Sequence, residues 1–283
     1  MDRLEEIAET YAWYQSVGNQ VEDDSLARYV HNFERSDIWV ANHVSRVRAR
    51  SQSDVDHVLR EVDRVLAHCR HRMFIVDPFT PDPFIARLVL EGFTELTPTL
   101  QMVLEGPLAA SGGRPARSSS GSTQVELEPV ISDADWQALY PLARANHIEG
   151  SSSHHLQLEE ETTRHLILGY RAKSAISQFF LARWDGVACA YGSAVIGPHG
   201  MGIIEDLFTL QAYRLRGIAA AIIAHAVEYA RNRGMGPILI GPHVTETPKS
   251  FYAALGFVPQ CVTRQYFRDS DGTSAPRSAS SSR

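Results

Sequence analysis

The chain has 283 residues, 44% of them hydrophobic and 21% charged, and its formal net charge is −6. This length suits one large domain or two modest ones, and an acidic chain without a long Lys/Arg run argues against nucleic acid as a partner. Three scattered cysteines, an acidic amphipathic start and no apolar run near the roughly 18 residues of a membrane span predict a cytoplasmic protein without disulfides, signal peptide or membrane contact.

The first 108 residues are predicted to contain a strand at 39–47, a helix at 54–70 and a short buried strand at 74–76. A stretch rich in Ser, Gly and Pro follows at 109–123, and a similar stretch forms the tail. Neither stretch has enough apolar residues to offset the entropy of ordering it. The predicted organisation is therefore a first domain at 1–108, a linker at 109–123, a second domain at 124–268 and a disordered tail at 269–283.

The second half alternates helical and strand patterns, and one hairpin is marked by the turn pair Asp185-Gly186. Helices are predicted at 136–146, 156–170, 218–233 and 248–255. Strands are predicted at 176–184, 187–196, 202–210, 237–241 and 262–267. Strands followed by helices, with one strand–helix–strand unit among them, indicate an α+β sheet of mixed direction.

The first half repeats part of this pattern when residues 164 positions apart are compared without gaps. The predicted strand, helix and buried strand then coincide with elements of the second half. Identical pairs include Arg50/Arg214, Pro78/Pro242, Gly92/Gly256 and Phe93/Phe257. A decayed duplication explains this coincidence of element types, although chance identities remain the alternative.

The strongest chemical signal is the string from Arg214 to Ala220, which joins a predicted strand to a predicted helix. Backbone N–H groups at a helix N-terminus lack partners and favour anions, and a diphosphate can accept several of them at once. Gly217 permits a close approach of the backbone, and Ala219 and Ala220 are small. An ordinary helix start packed on a sheet is the competing interpretation of this string by itself.

The wider context resembles the GNAT superfamily of N-acyltransferases. The pyrophosphate motif Q/R-x-x-G-x-G/A is met by Arg214, Gly217 and Ala219, and the motif Y-x-x-L-G-F is met from Tyr252 to Phe257. The resemblance covers about residues 124–268 and is most specific at 203–257. It implies a GNAT fold, which is an α+β fold with a mixed, mostly antiparallel central sheet flanked by helices. It also implies acyl transfer from acetyl-CoA without a metal, and a tandem arrangement in which the first half is a degenerate partial copy.

The resemblance also implies roles for particular residues. The pantetheine arm of CoA would be held by the strand backbone, and its pyrophosphate by the loop and helix start. The cofactor-binding residues implied in this way are Leu207, Phe208, Thr209, Arg214, Leu215, Arg216, Gly217, Ile218, Ala219 and Ala220. Thr245 is also implied, because it stands where the family often has a cofactor-bonding Asn; its hydroxyl can donate as well, although its side chain is shorter.

Acyl transfer to an amine requires a base for an ammonium of pKa about 10 and an acid for the departing thiolate. Glu205, at the end of the central strand, is the candidate base, and strict alternation would place Asp206 on the opposite sheet face. Tyr252 is the candidate acid. The competing interpretation of Glu205 is a solvated or structural charge. The competing interpretation of Tyr252 is an aromatic residue of the core.

The first hypothesis for function is an acetyl-CoA-dependent N-acetyltransferase acting on a primary amine of a small molecule. The alternative is a catalytically inactive GNAT-fold CoA-binding or regulatory protein, and the intact Gly217 and Tyr252 favour the enzyme. The polar segment with His147 and His154 lies where the family usually builds its acceptor pocket, but a surface loop explains it equally. The oligomeric state stays open between a monomer and a homodimer, and so does the length of the acyl group.

The first half is not expected to bind CoA productively. In the gapless comparison, Ser53 replaces Gly217, Val55 replaces Ala219, and Asp54 adds a negative charge at the position of the anion. Leu88 replaces Tyr252.

Overall fold

The computed structural model describes residues 2–109, 125–154, 159–245 and 248–269. Nearly all of the expected linker and tail, and residues 156–158 of a predicted helix, lie outside these ranges. The described helices are α1 (Arg3–Ser16), α2 (Gln52–Val65), α3 (Asp82–Leu90), α4 (Asp133–His154), α5 (Glu160–Ala172), α6 (Ile218–Arg231) and α7 (Pro248–Ala254). The described strands are β1 (Gln20–Asp23), β2 (Arg28–His31), β3 (His43–Ser45), β4 (His71–Val76), β5 (Thr94–Glu95), β6 (Thr99–Leu104), β7 (Val125–Pro129), β8 (Ser177–Trp184), β9 (Val187–Ile196), β10 (Gly202–Thr209), β11 (Ile238–Ile240) and β12 (Val258–Asp269).

Two compact units divide the chain, and each takes one strand from the other half of the sequence. Among the described residues, the first unit contains 2–100, 243–245 and 261–269, and the second contains 101–109, 125–154, 159–242 and 248–260. The 261–269 part of β12 therefore pairs with β4 in the first unit, whereas the 102–104 part of β6 pairs with β11 in the second. The domain ranges predicted from the sequence do not follow this exchange of strands.

The sheet of the second unit has the order β6-β11-β10-β9-β8-β7, and its described pairs are antiparallel except β10 with β11. The sheet of the first unit has the order β1-β2-β3-β4-β12, in which β3 and β4 are parallel and β5 pairs with β12. In the second unit, helix α6 joins the parallel strands β10 and β11, and in the first unit, helix α2 joins the parallel strands β3 and β4. The predicted mixed, mostly antiparallel α+β fold is confirmed.

The two faces of the second sheet pack against different helices. On one face, Phe179, Leu181 and Tyr191 form an apolar cluster with α4 and α5 residues such as Leu139. On the other face, small residues of β8 and β9 form a cluster with Ile222 of α6. Successive side chains of a strand alternate between faces, so both layers come from the same strands.

The gapless comparison of the two halves is wrong at its beginning. Residues Trp39–Ala41 form a 3-10 helix, and the strand is His43–Ser45. The cap of α2 is Ser51 and that of α6 is Gly217, which lie 166 rather than 164 positions apart.

The comparison holds at the end of the repeat. Phe93 N–H donates to the Leu88 carbonyl at 3.0 Å, and Phe257 N–H donates to the Tyr252 carbonyl at 3.1 Å. Gly92 and Gly256 both have positive φ, as a helix C-terminus of this kind requires. The first half is thus a partial copy of the second, with small insertions and deletions.

None of the described helices combines the length and the apolar composition that crossing a membrane would require.

His71 is a buried histidine in the first unit. Its Nε2 lies 3.3 Å from the Asn42 carbonyl oxygen, and its ring stacks on Phe267. Burial lowers the pKa of His71 from 6.5 to about 4, and the charge of Arg72 acts in the same direction. Burial of the imidazole in this position therefore disfavours its protonation.

We expect His71 to make the folded state sensitive to acid. Because the pKa is lower in the folded than in the unfolded state, the contribution of His71 is complete above pH 6.5 and is lost as the pH falls toward 4. When the pH is lowered from 7 to 4.5, the free energy of unfolding measured in urea should fall by about 2.5 kcal/mol more in the wild type than in His71→Gln. Equal losses in the two proteins would contradict this assignment.

Candidate functional site

A β-bulge interrupts β10 in the middle of the second sheet. Glu205 pairs with Ser193 and Phe208 with Tyr191, so Asp206 and Leu207 together face one residue of β9. Asp206 has φ of 57°, and pairing of β10 with β11 ends at Ile204. The strict alternation predicted for Glu205 and Asp206 is therefore wrong, because the inserted residue breaks the two-residue period. Beyond Ile204, the β10 backbone is no longer paired with its parallel neighbour.

Gly192 makes room for this bulge. A Cβ atom at this position would lie 2.8 Å from Ile222 Cγ2 and 3.1 Å from Leu207 Cδ1. Such distances are shorter than normal contacts, so a larger residue would push α6 or the bulge outward. The absence of a side chain at Gly192 lets the bulged strand and the helix pack together.

Glu205 lies before the bulge on the sheet face covered by α4 and α5, because it directly opposes Ser193. The Ser193 hydroxyl donates to the Glu205 carbonyl at 3.2 Å. Burial raises the pKa of Glu205 to about 8, and the charge of Asp206 adds to this rise. The ammonium of Lys173 and the Asp206 N–H act in the opposite direction. A carboxyl group with this pKa can accept a proton near neutral pH and hold it.

Tyr191 is the fully buried neighbour of this pair of carboxyl groups. Asn146 Nδ2 donates to the Tyr191 hydroxyl at 3.0 Å. Burial raises the pKa of Tyr191, and the charge of Asp206 adds to the effect. Neither Tyr191 nor Asn146 is predicted as a site residue from the sequence. Tyr191 pairs with Phe208 next to the bulge, so only a prediction of the bulge could have pointed to it.

His147, weighed from the sequence as an acceptor-pocket residue, contacts the neighbouring helix. Its Nδ1 lies 2.9 Å from Thr163 Oγ1, and Arg144 donates to the same hydroxyl at 3.0 Å. These bonds connect α4 to α5. The side chain of His154 lies outside the described residues.

The N-terminus of α6 is open toward solvent. Gly217 is its cap, with φ of 80°, and provides no side-chain acceptor. The first intrahelical bond runs from Ala221 N–H to the Gly217 carbonyl at 3.0 Å, so the three preceding N–H groups have no partner within the helix. Ala219 and Ala220 leave these amides uncovered. The arrangement can accept an anion with several oxygens.

The equivalent helix start in the first unit is closed. The Ser51 hydroxyl accepts from Asp54 N–H at 3.2 Å, and the Asp54 carboxylate accepts from Ser51 N–H at 3.1 Å. This capping box satisfies the Asp54 amide and the Ser51 amide within the chain. Ser51, rather than the expected Ser53, therefore stands at the position of Gly217. The negative charge expected there from Asp54 is present.

The two arginines of the predicted motif are already engaged. Arg214 Nε donates to the Thr209 carbonyl at 3.0 Å, and its Nη2 donates to both Glu149 carboxylate oxygens at 2.7 and 2.6 Å. The guanidinium of Arg216 lies over the rings of Trp184 and Tyr213. Leu215 between them is fully exposed with φ of 63°. A role for these side chains in anion binding stays a prediction.

The remaining predicted residues occupy different environments. Phe208 is buried against Tyr191, and the Thr209 hydroxyl is buried without a hydrogen-bond partner among the described residues. Ile218 is a core residue. Tyr252 is 7% exposed and packs between Phe251 and Phe257.

Thr245 is exposed and belongs to the first unit, so its predicted contact stays untested. Within the described ranges, no group of three or more His, Cys, Asp or Glu side chains is placed to hold a metal ion.

Comparison with known proteins shows what the second unit is similar to. The model of the acetyltransferase (GNAT) family matches residues 136–257. A GCN5-related N-acetyltransferase from Kribbella flavida has a similar structure, with TM-score 0.66 and 15% identity over 94% of this chain and 96% of that chain. A functionally unknown conserved protein from Staphylococcus epidermidis ATCC 12228 gives 0.65 and 12% over 89% and 94%.

A tandem GNAT protein from the clavulanic acid biosynthesis pathway gives a TM-score of 0.52 and 13% identity over 78% of this chain and 71% of that chain. At these identities the likenesses establish the fold, which includes the two-copy arrangement. Among curated protein sequences, none is similar enough to this chain to count as a match.

We expect Gly192→Ala to destabilise the bulge. Its methyl group would overlap Ile222 and Leu207, which should lower the free energy of unfolding by about 1–3 kcal/mol. Gly236→Ala is the matched control, because a Cβ there meets no atom within 4 Å and its φ is not in the left-handed region. If urea unfolding shows that the stabilities of the two variants change equally, this interpretation is contradicted.

Proposed function

Because residues 136–257 match the model of the acetyltransferase (GNAT) family, we propose that this protein transfers an acetyl group from acetyl-CoA to a primary amine of a small molecule. The observation that carries the proposal is the combination of an open α6 N-terminus with Glu205 beside the bulge of β10. The first can accept a diphosphate and the second can accept a proton. We expect the reaction to take place in the cytoplasm.

Acetyl-CoA fits the residues present in the second unit. The amides at Ile218, Ala219 and Ala220 meet no side-chain acceptor at the cap, since Gly217 has no side chain, and they can donate to the pyrophosphate. The β10 backbone beyond Ile204 is released from β11 and can bond the pantetheine amides. Leu207, Phe208 and Thr209 are proposed to provide these backbone groups.

The proposed chemistry is direct attack on the thioester. Glu205 takes a proton from the bound ammonium, directly or through water, which leaves a neutral amine. The amine nitrogen forms a bond to the acyl carbon, the carbon–sulfur bond breaks, and the thiolate takes a proton from the Tyr252 hydroxyl. The nitrogen loses its second proton as the amide forms, and this proton returns through water to the Tyr252 phenolate. The products are an N-acetylated amine and free CoA. Because the amine attacks the thioester directly, this mechanism includes no covalent acyl-enzyme.

The experiment that tests the function measures free thiol released by the full-length protein from acetyl-CoA in the presence of a panel of small primary amines. Release that depends on one class of amine supports the proposal. If CoA binds, but no amine in the panel and no longer acyl-CoA produces thiol, the protein is a CoA-binding protein and the catalytic proposal fails.

Gly217→Glu should abolish CoA binding, because a carboxylate would occupy the position of the pyrophosphate. Gly234→Glu is the matched control, since Gly234 has nearly the same positive φ, 81°, and lies beyond the opposite end of α6, where a Cβ would meet no atom within 4 Å. Both variants carry the same strain and charge. If calorimetry finds equal affinities for CoA in the two variants, the loop is not part of the binding site.

The pH dependence of catalysis should follow Glu205. Its carboxylate form is the active base, so kcat/KM should rise with pH through an apparent pKa near 8, and Glu205→Gln should remove this limb. Asp206→Asn should keep the limb but move it to lower pH, because the Asp206 charge raises the pKa of Glu205. An acceptor with a weakly basic amine separates the enzyme limb from that of the substrate.

If the rise of kcat/KM with pH persists in Glu205→Gln, another group, or the substrate amine itself, titrates.

Tyr252→Phe should lower turnover by roughly 10- to 10⁴-fold with little change in CoA affinity, the range for loss of a general acid. Tyr229→Phe, which removes a hydroxyl from the side of α6 next to Arg233, is the matched control. Single-turnover kinetics is the suitable measurement, since it isolates the chemical step. Equal rates in the two variants would assign the proton to another donor.

A further inference from the structure

The first unit contains a cavity of about 530 Å³ that the acyl-transfer proposal does not use. It lies among the start of α1, the segment that follows β3, and the loop that leads from β4 into α3. Its lining includes Arg46, Arg48, Arg50, Phe79, Glu5 and Asp82. All of these residues belong to the first unit. The volume is in the range of small-molecule sites.

The sequence Arg-Val-Arg-Ala-Arg at 46–50 directs three guanidinium groups to this cavity. Val47 and Ala49, which alternate with the arginines, are both fully buried. Alternating burial in a segment of this length places its odd and even members on opposite sides. The segment thus buries an apolar side in the core and presents three cations on the other.

Two of the three arginines are neutralised within the unit. Arg46 Nη2 pairs with Glu9 at 2.7 Å, and Arg48 makes two bonds to the Asp77 carboxylate at 3.0 and 2.9 Å. The guanidinium of Arg48 also lies 5.6 Å from the centroid of the Phe79 ring. These contacts hold the wall of the cavity in place.

Three charges at the cavity remain uncompensated within the described ranges. Arg50 is exposed, and its side chain has no hydrogen bond or ion pair with the described part of the chain. The carboxylates of Glu5 and Asp82, also exposed, likewise have no side-chain partner there. Among the residues that the structure describes, the cavity therefore offers one free cation and two free anions. A ligand that is purely anionic would meet the two carboxylates, and a purely cationic one would meet Arg50.

This cavity differs from the open helix start of the second unit in how it could recognise a ligand. At the start of α2, the Ser51 hydroxyl already occupies the Asp54 amide, and the Asp54 carboxylate places a negative charge beside the remaining amides, which disfavours a diphosphate there. Recognition must therefore come from the side chains that line the cavity. A ligand with an acid group and an ammonium group matches the free charges, and the Phe79 ring offers an apolar contact.

We propose that the cavity of the first unit binds a small zwitterion of the amino-acid class. Its carboxylate pairs with Arg50, and its ammonium pairs with Glu5 or Asp82. Its side chain contacts Phe79. Such a site is separate from the proposed acyl-transfer site and would make the degenerate half a ligand-binding module.

The test uses the full-length protein without CoA and measures the shift in Tm and then the Kd for each standard L-amino acid. The amino acid with the largest effect is compared with its N-acetyl and its carboxamide derivatives, each of which lacks one charge. Both derivatives should bind about tenfold more weakly, the cost of one charged hydrogen bond. Failure of every amino acid to bind would overturn the proposal.

Variants locate the binding. Arg50→Ala and Glu5→Gln should each weaken it about tenfold, and Arg60→Ala, which removes an equally exposed arginine of α2 that does not line the cavity, should leave it unchanged. Glu205→Gln should also leave it unchanged. If Glu205→Gln weakens binding and Arg50→Ala does not, the amino acid occupies the acyl-transfer site and the proposal is wrong. Equal binding of inorganic phosphate would show a simple anion site and overturn it as well.

Discussion

The bulge of β10 is the constraint on which the arrangement of the second unit depends. Two residues, Asp206 and Leu207, face the single residue Gly192, and the strand can accommodate them because glycine leaves room beneath α6. The insertion coincides with the end of pairing between β10 and β11. It also brings the charge of Asp206 close to Glu205 and Tyr191, whose pKa values it raises. One local irregularity thus lies where β10 leaves its parallel neighbour and beside a carboxyl group whose pKa is raised.

The two units solve the same structural problem in opposite ways. Each has a helix that follows a short strand and leads to a parallel neighbour, and each helix start has amides without intrahelical partners. In α2, Ser51 and Asp54 form a capping box that satisfies the Asp54 amide and stabilises the helix. In α6, Gly217 provides no side chain, so no side chain caps the first amides. The two helix starts therefore differ in whether the cap residue itself provides an acceptor.

The exchange of strands means that neither half of the sequence contains all the strands of its sheet. The sheet of the second unit includes β6, which precedes the linker, and the sheet of the first unit includes the 261–269 part of β12. A fragment that begins after the linker would lack the partner of β11 and expose its edge, which favours aggregation. The two copies therefore depend on each other for complete sheets, and the full chain is the appropriate material for measurements.

The sequence by itself determined the fold class, the family resemblance and most elements of the second half. Apolar periodicity and turn residues such as Asp185-Gly186 act over short distances, so they can be recognised without a structure. The motif from Arg214 to Ala220 likewise indicated the helix start. What only the tertiary structure decided are the features that depend on residues far apart: the bulge opposite Gly192, the raised pKa of Glu205, the bonds that occupy Arg214, and the exchanged strands. Register, burial and pairing partners are set when distant segments pack together, and no local pattern encodes them.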